Sequence, residues 1–441
     1  MTKMRFRTTE LSRRGVLRMG GATALAAGLG SGLAGRALAQ EAPIAMLGWD
    51  FQPDTIQRLV SSWTAAGNPE VDVSIIPNLG YSAALQTRLR GGETIDMYYN
   101  FAYNSQRFHD QDWAASLNGL PGVDDMMADM FESARSRHVT PDGTIISVPY
   151  FSAVHMLHYN QKMLADAGVD TVPGSLQEIY DASAAIRDAG IAESPYVAYW
   201  VKEFCEEYLH TYLLNAGIEA FDEAGEPIFA DDPATEGVFE WWQAMYQDGL
   251  APQSLLTDDP GKLSAEMANG NAAFFVLHHY FLTSIRSLEG PSSADVTMAA
   301  PSADFTLQIG EVLQMGAGLD EAKRDATWEL MKYYGWKDTD GSFTVFKEWA
   351  QAAGLAAPYA NFFTDPDIVA TFPDYYDLDL LSQTFDTGSK VVPARTMPWY
   401  PDFQLRVGDI IHMLLLGQET PAGTVSALAD AVRSAQRGSS L

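Results

Sequence analysis

Between Ile44 and Tyr99, short apolar runs alternate with segments of helical period, and this alternation restricts the fold more than any other feature of the chain. Ile44 to Gly48 is apolar and short, as a buried strand is. Ile56, Leu59, Val60 and Trp63 then share one face of a helix that Asp54 is placed to cap and Gly67 to end. Val71 to Ile75 alternates as a strand, Tyr81 to Arg90 reads as a helix stopped at Gly91-Gly92, and Ile95 to Tyr99 supplies a third strand. A βαβαβ order implies a parallel sheet covered on both faces, which binds ligands at the loops following its strands. Those loops are Trp49-Asp50-Phe51 and Asn100 to Asn104.

Further along, punctuation favours helices. Ser175-Leu176-Gln177-Glu178 is a capping box, followed by Ile179, Tyr180, Ser183 and Ile186 at helical spacing. Asp232-Pro233 starts another helix, with Val238, Trp241, Trp242 and Met245 inside it. Glu321 to Tyr334, Asp409 to Leu416 and Pro421 to Arg437 complete the set.

The N-terminus reads as an export address. Ser12-Arg13-Arg14-Gly15-Val16-Leu17-Arg18 has the form of a twin-arginine signal; a Gly- and Ala-rich run to Leu33 and Ala37-Leu38-Ala39 follow. Cleavage after Ala39 is expected, leaving a periplasmic protein that begins at Gln40. The remaining chain of about 400 residues is too long for one ordinary core and suggests two lobes. Cys205, the single cysteine, permits no disulfide within the chain, and no cysteine near the cleavage site could carry a lipid. The chain has 28 basic and 57 acidic residues; removing residues 1–39, with seven basic and one acidic, leaves 21 − 56 = −35. That field repels nucleic acid and anionic lipid, so neither is expected as a partner.

Enzyme signatures are sparse. The one G-x-G-x-x-G, Gly30 to Gly35, lies inside the signal and leaves with it, so no dinucleotide or other cofactor is expected. His155 and His158 stand three apart in a strand and point to opposite faces. The adjacent His278-His279 could join carboxylates around a metal, but a solvated or cleft-lining pair is the plainer reading, and no metal site is expected. Aromatic residues give a stronger signal. Trp49, Phe101, Tyr103, Tyr150, Phe151, Trp200, Tyr280, Trp399 and Tyr400 sit in turns rather than at periodic core positions, as platforms for the apolar faces of a sugar do. Lys202 and Arg395 are the only cations near these loops, which favours a neutral ligand.

The stretch DGTIISVPYFSAVHMLHYNQKMLADAGVD from Asp142, followed by VPGSLQEIYDASAAI, resembles the central signature of the family 1 extracellular solute-binding proteins. These are sugar receptors of ABC importers, the group that includes maltose-binding protein. Asp96 to Tyr99, Trp241 to Leu250, Asn269 to Phe274 and Leu416 to Pro421 resemble further family segments in the same order. The resemblance implies a type II periplasmic binding fold: two α/β lobes, each a mainly parallel sheet flanked by helices, with a ligand cleft between them. Lobe one would span 41–151 plus 304–340, and lobe two 152–303 plus 341–441. The crossings would lie near 151–155, 301–307 and 338–343. Carried over by position, the ligand-binding residues would be Trp49, Asp50, Asn100, Tyr103, Tyr150, Ser152, Trp200, Glu203, Tyr280, Tyr359 and Trp399, with no catalytic residue. Asn100 and Tyr103 replace a tryptophan and an acidic residue of maltose-binding protein, which argues against maltodextrin itself. The implied partners are a small solute, most simply a sugar, and the membrane permease, with the receptor a monomer. A polyol, a glycerol phosphodiester or a polyamine are alternative ligands, and an exported enzyme is the competing class.

Overall fold

The computed structural model describes residues 42–78, 80–302 and 304–439. The signal residues Arg13, Arg14 and Ala39 lie outside the described residues. Two sheets organise the chain. The first has the order β2-β1-β3-β10-β4, formed by Ile44–Trp49 (β1), Val71–Ile76 (β2), Met97–Asn100 (β3), Val148–Pro149 (β4) and Val312–Met315 (β10). The second has the order β11-β9-β5-β7-β6, formed by Ala153–Asn160 (β5), Tyr196–Val197 (β6), Phe274–His278 (β7), Thr306–Ile309 (β9) and Ser389–Lys390 (β11); Val296–Ala299 (β8) also pairs with β5. Helices pack around both.

The βαβαβ unit forms as its sequence pattern requires. β1 runs parallel to β2 and β3. The helix Pro53–Ala65 buries Ile56, Leu59, Val60 and Trp63, and the helix Tyr81–Arg90 has the expected bounds. Asp54 is not the cap: Gln52 holds that place in a left-handed conformation, Pro53 fixes the first turn, and Asp54 sits inside it, where its charge suits the helix dipole. At Ser175 the side chain accepts from the Glu178 amide, while the Glu178 carboxylate takes the Gly174 amide at 2.7 Å, one residue earlier than a standard capping box. The helix expected at Asp409 starts at Tyr400, because Pro401 suits a first turn.

The later strands join antiparallel. β10 opposes β3 and β4, and β5 opposes β7, β8 and β9. The chain reaches β5 from β4 through three residues, Tyr150 to Ser152, with no helix to return it in the parallel direction. It passes back from β9 to β10 through Gly310 and Glu311 alone. The two passages touch: the Tyr150 amide donates to the Glu311 carbonyl at 2.8 Å, while the Ser152 amide reaches a third segment, at the Ala356 carbonyl, at 2.9 Å.

Two segments therefore lie elsewhere than the expected crossings implied. β9 pairs with β5 in the second sheet, so the return passage falls after residue 309 rather than at 301–307. The helix Thr344–Ala353, assigned with lobe two, packs on the helices Pro53–Ala65 and Glu321–Gly335 and ties Glu348 to Arg58 at 3.5 Å. Its buried face, Val345, Phe346, Trp349 and Ala350, turns toward the first sheet's helices.

Candidate functional site

The two passages between the sheets place a polar recess where both sheets present their loops. It is nearly closed, with about 20 Å³ of free volume, and its lining includes Tyr103, Arg137, Gln308, Gly310, Glu311 and Arg395. Tyr103 opens the helix Ala102–Asp110 after β3, Glu311 and Gly310 come from the return passage, and Arg395 follows β11. Glycine is needed at 310: an added Cβ would stand 2.5 Å from the Phe151 carbonyl and 3.1 Å from Arg137 Nη1.

Arg395 is fixed by the helix Cys205–Asn215, which is buried along its whole length. Its guanidinium meets Glu206 at 2.9 and 3.1 Å and Glu207 at 3.6 Å. Burial opposes the charge, but the two carboxylates raise the Arg395 pKa, so it stays charged. Glu206 also accepts from the Tyr400 hydroxyl. Glu207 faces His278 at 3.0 Å and His155 at 3.4 Å. Burial opposes its charge too, yet the imidazoles and Arg395 hold its pKa well below the usual carboxylate range. Glu311 differs. Burial pushes it up to about 7, opposed by the Ala102 amide, which donates to it at 2.7 Å, and by Arg395.

Arg137 is 7% exposed and donates to Ser152 Oγ at 2.9 Å. Its Nη1 has no partner, nor does the neighbouring Gln308 Nε2. Burial lowers the Arg137 pKa to about 9, with Glu311 opposing. The lining thus offers two unmatched donors, one carboxyl, Glu311, and two guanidiniums, of which Arg395 is neutralised from behind by Glu206 and Glu207.

Of the residues expected to bind ligand, Tyr103 lines the recess. Tyr280 meets His278 Nδ1 at 3.0 Å, and its ring approaches Phe51 and Phe151, reaching both sides of the passage. Trp49 supports from beneath: it stacks on Phe101 at 5.2 Å, which stacks on Tyr103 at 5.3 Å. Ser152 holds Arg137 in place. The others sit away from the lining. Asp50 accepts the Asn78 amide. Asn100, fully buried, donates to Gln314, and Tyr150 stacks on Tyr99. Trp200 is enclosed in the second sheet's core with Nε1 on the Tyr212 hydroxyl, and Glu203 is exposed. Tyr359 donates to the Gly335 carbonyl, and Trp399 packs on Phe221 and Phe403. These aromatics sit in turns, as their spacing indicates, but the turns fold inward. Lys202 pairs with Asp409 at the surface.

Sequence reasoning missed Arg137, Glu206, Glu207, Gln308 and Glu311. One signal was present: Glu206 and His210, and Glu207 and Thr211, stand four apart and form one polar stripe on the otherwise mainly apolar helix Cys205 to Asn215, an arrangement that neighbouring apolar segments can enclose.

Two mixed sheets joined by short passages, with a polar recess at the junction, make a two-lobed binding-protein fold. Residues 58–372 match the family model described as bacterial extracellular solute-binding protein, and the chain belongs to that family. Among solved structures it is similar to maltose-bound MalE3 of T. maritima, with TM-score 0.74 and 18% identity over 89% of this chain and 99% of that one. It is likewise similar to an ABC transporter solute-binding protein of Agrobacterium radiobacter K84 in complex with ribitol, with TM-score 0.74 and 15% identity over 89% and 100%. A segment of 63 residues is 33% identical to the sn-glycerol-3-phosphate-binding periplasmic protein UgpB of Agrobacterium fabrum and spans 14% of each chain.

Proposed function

We propose that the protein is the monomeric periplasmic receptor of an ABC importer, exported by the twin-arginine route, which encloses a small neutral polyhydroxylated solute, a sugar or polyol, and passes it on unchanged. The lobes follow the two sheets, and the solute occupies the recess between them. The observation that carries this reading is the mixture of groups there. Arg137 Nη1 and Gln308 Nε2 await acceptors, while the Glu311 carboxyl accepts. A hydroxyl is both donor and acceptor, so a polyol satisfies both kinds at once. The stacked Trp49-Phe101-Tyr103 column offers a flat face for C–H groups. Arg395 already has its charge matched by Glu206 and Glu207, which disfavours an anion there. The structures of MalE3 with maltose and of the K84 protein with ribitol support the solute class.

One observation favours a second ligand class. Arg137 is buried with no carboxylate at ion-pair distance among the described residues, and a phosphate ester would neutralise it; the UgpB segment points the same way. Titration calorimetry of the purified mature protein with maltose, ribitol and glycerol 3-phosphate separates the two. One-to-one saturation by maltose or ribitol, insensitive to moderate salt and with the solute recovered intact, is expected. Tight binding of glycerol 3-phosphate that weakens steeply with salt supports the phosphate ester instead. Conversion of the solute contradicts a receptor.

A further inference from the structure

His155, Glu207 and His278 come from β5, the helix Cys205–Asn215 and β7, yet their ligand atoms all lie within 4.8 Å of one another. We infer that these three side chains form a divalent transition-metal site, of the chemistry zinc prefers, beside the solute recess.

Three features carry this. The first is spacing. Zinc holds imidazole nitrogens and carboxylate oxygens at about 2.0–2.2 Å, so neighbouring tetrahedral ligands stand about 3.3 Å apart. Glu207 Oε2 lies 3.0 Å from His278 Nε2 and 3.4 Å from His155 Nε2. The second is the surrounding shell. Each imidazole presents Nε2 to the shared carboxylate and has its Nδ1 held by a hydroxyl, Thr211 at 2.8 Å and Tyr280 at 3.0 Å, as metal-binding histidines are held by outer partners.

The third is proton bookkeeping at His155. Thr211 gives its hydroxyl proton to the Glu207 carbonyl at 2.8 Å, so toward His155 it accepts, and the proton of His155 sits on Nδ1. The ring is fully enclosed. In the neutral ring with its proton on Nδ1, the lone pair lies on Nε2, the atom that faces Glu207 Oε2 and that a metal ion would take. Glu207 reaches Arg395 of the recess at 3.6 Å, which places the ion next to the solute. A tetrahedral ion would keep one position for water or a solute hydroxyl.

The test uses the full mature chain, stripped with a chelator and dialysed against CoCl2 and, separately, ZnCl2. One cobalt per chain with the intense visible absorption of a tetrahedral centre is expected, displaced by zinc. His155→Ala and His278→Ala should each weaken metal binding at least tenfold, while His210→Ala, next to Glu206 but outside the triad, leaves it unchanged. Circular dichroism reports folding, and Glu207→Gln, which keeps shape and removes charge, serves if an alanine variant unfolds. Weak, nonspecific cobalt binding without the visible band would reduce the triad to a hydrogen-bonded cluster and overturn the inference. So would undiminished binding in a folded His278→Ala or Glu207→Gln. Solute titrations of the metal-free protein keep this outcome separate from the receptor reading.

Discussion

Glu311 is the residue whose environment makes the sharpest statement. Its folded pKa is about 7 against an unfolded value near 4.3. Between those values the unfolded chain has lost the proton and the folded one keeps it, so stability falls as pH rises through this window and is level above it. Partial exposure at the recess mouth lessens the effect, which is about 3 kcal/mol at most. Glu311→Gln should flatten the decline between pH 5 and 7, measured by thermal unfolding across pH. An unchanged slope would mean that Glu311 is ionised in the fold as it is in water. Trp200 and Tyr103 make a contrasting pair. Trp200→Ala should lower stability by about 3–5 kcal/mol, as loss of a fully buried ring does, and leave affinity in the remaining folded protein unchanged. Tyr103→Ala should preserve the fold and weaken solute binding by about 2 kcal/mol, roughly thirtyfold. Denaturant curves and calorimetry on both variants decide the assignment. At this scale the sequence reveals residue type but not direction. Turn placement marked Trp200 and Trp399 as readily as Tyr103, and only packing separates a turn aromatic that folds inward from one that faces a recess.

At the scale of elements, the βαβαβ unit was legible because period and punctuation agree over each segment. The helices Tyr81–Arg90 and Glu321–Gly335 lie within a residue of their expected ends. What local pattern does not carry is pairing partner. β9 and β10 are separated by two residues yet belong to different sheets, and the direction of β5 depends on how the chain arrives. Gly310 shows why the passage is tight. Gly310→Ala would set a methyl group against the Phe151 carbonyl and Arg137 Nη1, and should cost about 1–3 kcal/mol of stability as overpacking does. It should also weaken solute binding by displacing Arg137. Thermal melts with and without solute test both parts; a variant as stable as the wild type would show that the passages are not in close contact.

In the whole molecule, passages of two and three residues connect the two sheets beside the recess. The helix Ala102–Asp110 on one side already packs against residues 393–396 and the helix Tyr400–Leu415 on the other, so a solute can enter only if these elements part. Short passages beside one another suit hinge motion, since few residues absorb the change. Solute that touches both sides shifts the population toward the enclosed form. Small-angle X-ray scattering on the mature protein tests this directly, alone and saturated with whichever of maltose, ribitol or glycerol 3-phosphate binds. The radius of gyration should fall on saturation and return to its starting value when the solute is dialysed away. A radius unchanged at saturation, with binding confirmed by calorimetry on the same sample, would contradict enclosure between the two sheets.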